Sequence, residues 1–521
     1  LGDSTQALAY SQSNINFHMG QRASREAWIG GVPANIEINH NIDYLVRTKM
    51  IPNYDTSVSI PEQDMADAYR SWRSKRTLIN DSAFWVKGMS TAGGRADIGW
   101  HTNYQVYYAY TGDQRMFEII YRSAELAMSW PMHFRSGWAR PRWLDLAPAN
   151  FGNGLPVTGQ SHPTNRNYDG NSWINDSRVV STEDVMPLVG PRTDAGWKPD
   201  TSHQPCPFAL PYMLTGEYWL LDQLQMWAFW NSWHGHPQYL SYGRWYGHYI
   251  DQVRGSGWYL RTLTKATALS PDGSPEKLAF SQLLLGLIAT WEGSRDIRGS
   301  GFEGSPAWNT GRGVGMCGAI RTPYSRPSAQ GSEFGQWNYH WGLSQCFTPE
   351  PLHAFQKGAD QQASGIVKTT HPHIHLTWHH AIVVLALGQA KEMGYPTDPL
   401  LAWAAKFLIE QITDPGYDPY LIAQYYTAAT HNHNGTRPYH RPTTWSEVRA
   451  GYTQASLNNA QSYFMGTAHD STFGYAPIIT GAMSYLTHLP DGPRAFFWMR
   501  DRVYPVRRSQ TLPKWRYIPR R

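Results

Sequence analysis

Cysteine is nearly absent from this chain: 3 residues in 521. Cys206, Cys317 and Cys346 form an odd set without CxxC spacing, which excludes a zinc ribbon and a disulfide framework and leaves one bridge, Cys317 to Cys346, open. Charge is sparse as well. Charged residues make up 16% of the sequence, well under the density that coiled coils need. Long apolar runs are missing too: the longest, Ala381 to Leu387 with Gly388 at its edge, covers about eight residues, too short to span a bilayer. Neither sign of charge dominates, the net being +5. The dense basic stretch runs from Arg494 through Arg507, Arg508 and Lys514 to Arg520 and Arg521. It reads as a tail or docking strap, and a nucleic-acid partner, which calls for a basic stripe along a face, is not expected.

Aromatic residues are abundant. They reach 14%, with 24 Trp and 31 Tyr, a composition that excludes disorder and collagen. The length allows two to four ordinary domains, with all-helical rings as the usual exception. The sequence begins at Leu1 and carries no signal-peptide pattern, and reads as a processed form, an engineered chain or a piece of something longer.

From Ala27 to Ile60 the text reads as extended, with Ile36, Ile38, Ile42, Tyr44 and Val46 at even spacing and Gly30-Gly31 and Pro52-Asn53 as punctuation. Beyond it, apolar residues recur at helical spacing between short Gly, Pro and Asp turns. Thr111-Gly112-Asp113, Thr215-Gly216-Glu217, Ser270-Pro271-Asp272-Gly273, Gly394-Tyr395-Pro396-Thr397-Asp398 and Leu489-Pro490-Asp491-Gly492 all take one form. A helix ends on a glycine or proline turn, and an acid opens the next helix, where it meets the positive end of the dipole. Such helical hairpins predict a mainly α fold, an α/α toroid with long loops at one mouth. The expected division is an extended segment over 1–90, the toroid over 91–495 and a basic tail over 496–521.

Four clusters carry candidate chemistry. Gly93 to Tyr104 offers Arg95, Asp97, Trp100, His101 and Tyr104 at the start of a helix. Trp197 to Pro205 offers Asp200, His203 and Gln204 at the equivalent point of its own hairpin. In the third, Arg254, Trp258 and Arg261 fall at i, i+4 and i+7, one helix face with forked donors suited to a carboxylate. The fourth, His371 to His380, invites a metal reading, but its alternation and the lack of an adjacent carboxylate favour hydrogen bonding by His379 and His380 instead. No P-loop, dinucleotide fingerprint or nucleophile elbow is present, and neither metal nor cofactor is expected.

The blocks Gly93 to Gly99, Lys198 to Pro205, Tyr212 to Glu217, Asp251 to Arg254, Trp258 to Leu263 and Ser270 to Asp272 resemble a little-characterised group of bacterial proteins. More broadly, the hairpins and aromatic loops resemble the α/α-toroid carbohydrate-active enzymes, polysaccharide lyases and inverting glycoside hydrolases, over residues 90–490. The resemblance implies a polysaccharide substrate. Sugar rings stack on indoles, and loop residues Trp138, Trp143, Trp173, Trp197, Trp337 and Trp341 suit that purpose.

The leading expectation is a lyase that cleaves a uronic-acid glycan by β-elimination, with His203 as base, Tyr104 as accessory acid and Arg254 on the carboxylate. Asp97, His101, Asp200, His203 and Arg254 are expected along one cleft. Arg95, Gln204, Trp258, His379 and His380 are expected to bind substrate, and Trp100 and Trp378 to serve as ring platforms. An inverting hydrolase would use Asp97 and Asp200, with Glu333 as a further candidate. A third reading is a non-catalytic glycan-binding or assembly protein that self-associates through its extended N-terminal segment. Low charge and aromatic loops suggest secretion or display on a bacterial surface.

Overall fold

The computed structural model describes residues 41–75, 83–85, 95–128, 203–233, 253–296, 374–375, 377–424, 427–428, 445–465, 475–505 and 512–520. Within them the chain is mainly helical. In chain order the helices are α1 (Ile42–Arg47), α2 (Glu62–Arg73), α3 (Asn103–Thr111), α4 (Gln114–Ala127), α5 (Ala209–Thr215), α6 (Tyr218–Trp233), α7 (Val253–Leu269) and α8 (Pro275–Asp296). They continue with α9 (Thr377–Glu392), α10 (Asp398–Thr413), α11 (Trp445–Ala450), α12 (Gln454–Met465), α13 (Ala476–Met483), α14 (Gly492–Val503) and α15 (Leu512–Trp515). A two-residue antiparallel ladder joins β1 (Ile374–His375) to β2 (Thr427–Ala428). Among the described residues no helix is long and apolar enough to cross a membrane.

The predicted hairpin turns form as their chemistry dictates. Gly112 ends α3 at φ 68° and Asp113 caps α4, accepting from the Arg115 amide at 2.8 Å. Gly216, Gly273 and Gly394 take positive φ at their own turns, a region where glycine meets no Cβ penalty. Asp491 does the same work at φ 57° before α14. Helices α7 and α9 pack side by side at the centre. Their approach is close enough that a Cβ on Gly257 would lie 2.7 Å from Ile382. Helix α9 is buried along its length from Thr377 to Ala390, as expected of a helix apolar all round.

Two expectations need correction. Ile42, Tyr44 and Val46 do not form a strand but lie on α1, because the Asn41 side chain caps the Tyr44 amide at 3.0 Å and Asp43 and Arg47 suit the two ends of the dipole. Residues 27–40 lie outside the described residues. The extended contact that does occur nearby is a bridge from Tyr54 to Tyr517 of the same chain.

The basic tail is the second correction. The boundary after 495 falls inside α14, and residues 512–520 run through the interior, with Lys514, Trp515 and Tyr517 at 0–1% exposure. Arg516 pairs with Asp55 at 2.9 Å, and Arg520 donates to the carbonyls of Val46 and Ile51. The segment behaves as a strap because its cations find oxygen partners within the fold.

Candidate functional site

The first two sequence clusters meet the third on one face of α7, and Trp378 of the fourth reaches its Arg254 end. Arg254, Trp258, Arg261 and Lys265 recur along it at i, i+4, i+7 and i+11, so their side chains share a stripe. All four are at most 2% exposed. The stripe clips two loops in place.

The first loop leads into α3. Arg95 holds both oxygens of Asp97, at 2.9 and 2.7 Å. The helix cap is Thr102, in a capping box with Gln105, which leaves Asp97 as the partner of Arg95 rather than a cap. The second segment leads into α5 from His203. Arg261 joins the two: it donates to the Gly99 carbonyl from Nη1, and to Pro205 O and Gln204 O from Nη2 at 2.8 and 3.2 Å. Lys265 donates to Trp100 O at 3.1 Å and to His101 Nε2 at 3.3 Å, with the Cys206 sulfur 3.8 Å away. That leaves Nδ1 of His101 to donate to the Tyr54 hydroxyl, 2.9 Å away. At the other end of the stripe Arg254 Nη2 stands 2.9 Å from His203 Nε2 and its guanidinium lies 5.1 Å from the Trp378 ring.

Burial shapes the electrostatics. Desolvation draws Lys265 down to about 8 and Arg261 down to about 10, the Cys206 sulfur opposing it in both. It also holds His101 well below the ordinary imidazole value, with Lys265 and Arg261 pushing the same way. A buried cation is favourable only where oxygen atoms close around it, and here main-chain carbonyls do so.

Asp97, Tyr104, Thr102 and Gln105 line a crevice of about 10 Å³ with Phe84 and Ser123, room for roughly one water. Tyr104 stacks on Phe84 with centroids 4.7 Å apart, and burial raises its hydroxyl well above the ordinary phenol value. Gln204 turns away from the stripe to exchange hydrogen bonds with Asn231 at 2.8 Å.

Open ring platforms are not found at Trp100, Trp258 or Trp378, which are 0–1% exposed. Trp100 lies beneath Lys265, Trp258 sits between Arg261 and Trp515, and Trp378 stacks on Tyr475 with centroids 4.2 Å apart. Their faces are occupied by cations and by other rings. His379 and His380 are likewise internal. His380 Nε2 bonds to Ala404 O at 2.8 Å, and desolvation takes it down to about 4. Asp200, Glu333, Cys317, Cys346, His371, His373 and the six loop tryptophans lie outside the described residues.

Lys265 extends the 254–261 stripe by one more helical step, so that spacing pointed to it. Lys514 and Tyr54 gave no local signal. Lys514 reaches Arg95 O and Ile98 O, each at 2.6 Å, from 419 and 416 residues away. Comparison of the chain with family models, with curated proteins and with solved structures finds no match.

Proposed function

We propose that this is a carbohydrate-active protein, a polysaccharide lyase that cleaves a uronic-acid glycan by β-elimination, with its helices closed into an α/α toroid. The observation that carries the reading is the buried pair of Arg254 and His203, 2.9 Å apart. A guanidinium has no acceptor, so it donates and the His203 Nε2 is unprotonated. A uronate carboxylate is a stronger acceptor than imidazole and matches the guanidinium fork. When it takes Arg254, the Nε2 lone pair is released beside the substrate. His203 then removes the proton at C5, the C4–C5 double bond forms, and the C4–oxygen bond breaks as the leaving oxygen takes a proton. Tyr104, kept protonated by its burial, is the acid in this scheme.

The hydrolase reading has less support, because both Asp97 oxygens are engaged by Arg95. Burial of Trp100, His101, Trp258 and Trp378 favours the non-catalytic reading as the second choice. In either case a glycan ligand fits a protein secreted or displayed by a bacterium.

The test is a panel of acidic and neutral polysaccharides, read by ultraviolet absorbance of the unsaturated uronate alongside new reducing ends. Absorbance with new ends is the expected result. New ends alone point to the hydrolase, and glycan retention with neither signal points to the binding protein.

A further inference from the structure

The loop from Arg95 to His101 is unusual in the direction of its carbonyls. Those of Arg95 and Ile98 accept from Lys514 Nζ, that of Gly99 from Arg261 and that of Trp100 from Lys265. The Asp97 carboxylate stands near enough to Lys514 to favour its charged form, against Arg95, which opposes it, and against burial, which draws the lysine down to about 7. Gly99 is at φ +148°, and a Cβ there would lie 2.8 Å from both the Lys514 Cδ and the His101 carbonyl. The loop is therefore wrapped on the lysine stem, with no room between them for a side chain.

Main-chain carbonyls standing in for a hydration shell are the ligand chemistry of a weakly hydrated monovalent cation, and two of them, Arg95 O and Ile98 O, close on the Lys514 ammonium. Here the cation is covalent, an ammonium brought in by the strap. The same loop reaches the proposed base through one residue, since Arg261 holds Gly99 O together with Gln204 O and Pro205 O, directly after His203.

We propose that Lys514 is a positioning residue of the candidate site: its ammonium fills a carbonyl cradle that takes a free ammonium or potassium ion once the side chain is cut back, and through Arg261 it sets where His203 meets Arg254. The inference goes beyond the lyase reading and does not depend on it. Its readouts are thermal and spectroscopic, so a failed lyase assay leaves it standing and its own failure leaves the lyase reading standing.

The experiment compares wild type, Lys514→Ala and Lys514→Met in sodium, potassium and ammonium chloride at equal ionic strength. Lys514→Ala opens the cradle and is expected to melt below wild type, then to regain at least about 2 °C, saturably, in potassium or ammonium but not in sodium. Wild type, whose cradle is full, and Lys514→Met, whose apolar chain refills it, are expected not to discriminate among the salts. The imidazole resonances of His203, followed by histidine-selective ¹⁵N labelling and assigned with His203→Gln, should shift in Lys514→Ala and return with potassium.

Equal melting of Lys514→Ala in all three salts overturns the cradle. Ion-specific melting with unmoved His203 resonances overturns the positioning role. If the alanine chain folds in none of the salts, Lys514→Gln, which is shorter and neutral, goes through the same comparison, and equal melting in every salt again overturns the proposal.

Discussion

Helices α7 and α9 lie against each other, and both are buried, but by different means. From Ala381 to Leu387 α9 shows only apolar side chains, and its inward histidine, His380, meets one carbonyl of α10, that of Ala404. On α7 the buried face carries three cations, and their partners lie on loops far away in sequence: main-chain carbonyls for Arg261 and Lys265, and the His203 imidazole for Arg254. Apolar burial of the α9 kind fixes where helices sit. Polar burial of the α7 kind fixes where loops sit, and in this protein those loops carry the candidate chemistry. The difference separates the scaffold from the parts it positions.

Substitutions on the two helices should therefore fail in different ways. The largest effect is expected at Arg261. Arg261→Met leaves the carbonyls of Gly99, Gln204 and Pro205 without their donor, a loss of roughly 3–5 kcal/mol. Denaturant unfolding should show it, together with faster amide exchange in residues 95–101 and 203–206. A small loss with unchanged exchange would erase the distinction between the two helices.

Next is Gly388→Ala on α9, where the new Cβ would lie 2.5 Å from the Tyr485 ring. Overpacking there should lower stability by about 1–3 kcal/mol, while exchange in the two loops stays as in wild type. His380→Leu should be milder, about 1 kcal/mol for one orphaned carbonyl, read by the same unfolding curve.

The smallest effect is a slope. Lys514 and Lys265 titrate near 7 and 8 in the folded protein, below the 10.5 of an ordinary lysine. Between those values the unfolded chain holds more protons, so stability climbs as pH rises from about 7 into the ordinary lysine range. Lys514→Met should flatten the lower part of that climb. At the acid end, His101 and His380 are depressed below 6.5, so stability should fall as pH drops from 6.5 toward about 4. Unfolding midpoints measured across pH check both limbs, and a flat profile from 7 to 9 would contradict the desolvated lysines.

Much of this was legible in the sequence where the cause was local. A helix that ends on glycine and restarts on an acid needs only neighbouring residues, so Gly112-Asp113 and Gly216-Glu217 read correctly as turns. The 254–261 face followed from spacing alone. Alternation misled at 42–46, because a six-residue helix with a polar cap carries too few apolar positions to show its own period. Trp100, Trp258 and Trp378 misled for another reason: an indole beside polar residues reads the same whether its face meets solvent or a buried cation. Lys514 was illegible because nothing near it in sequence marks the loop it holds.

The central claim is that the loops clipped to α7 bring His203 to Arg254 as a lyase pair. It is tested most directly by following the unsaturated uronate product with wild type, His203→Ala and, as an α9 control, His380→Leu, on the acidic glycan that wild type degrades fastest. The account predicts product from wild type and from the control, and a rate lower by on the order of 10²-fold or more for His203→Ala. No unsaturated product from any acidic glycan, or undiminished product from His203→Ala, would contradict it.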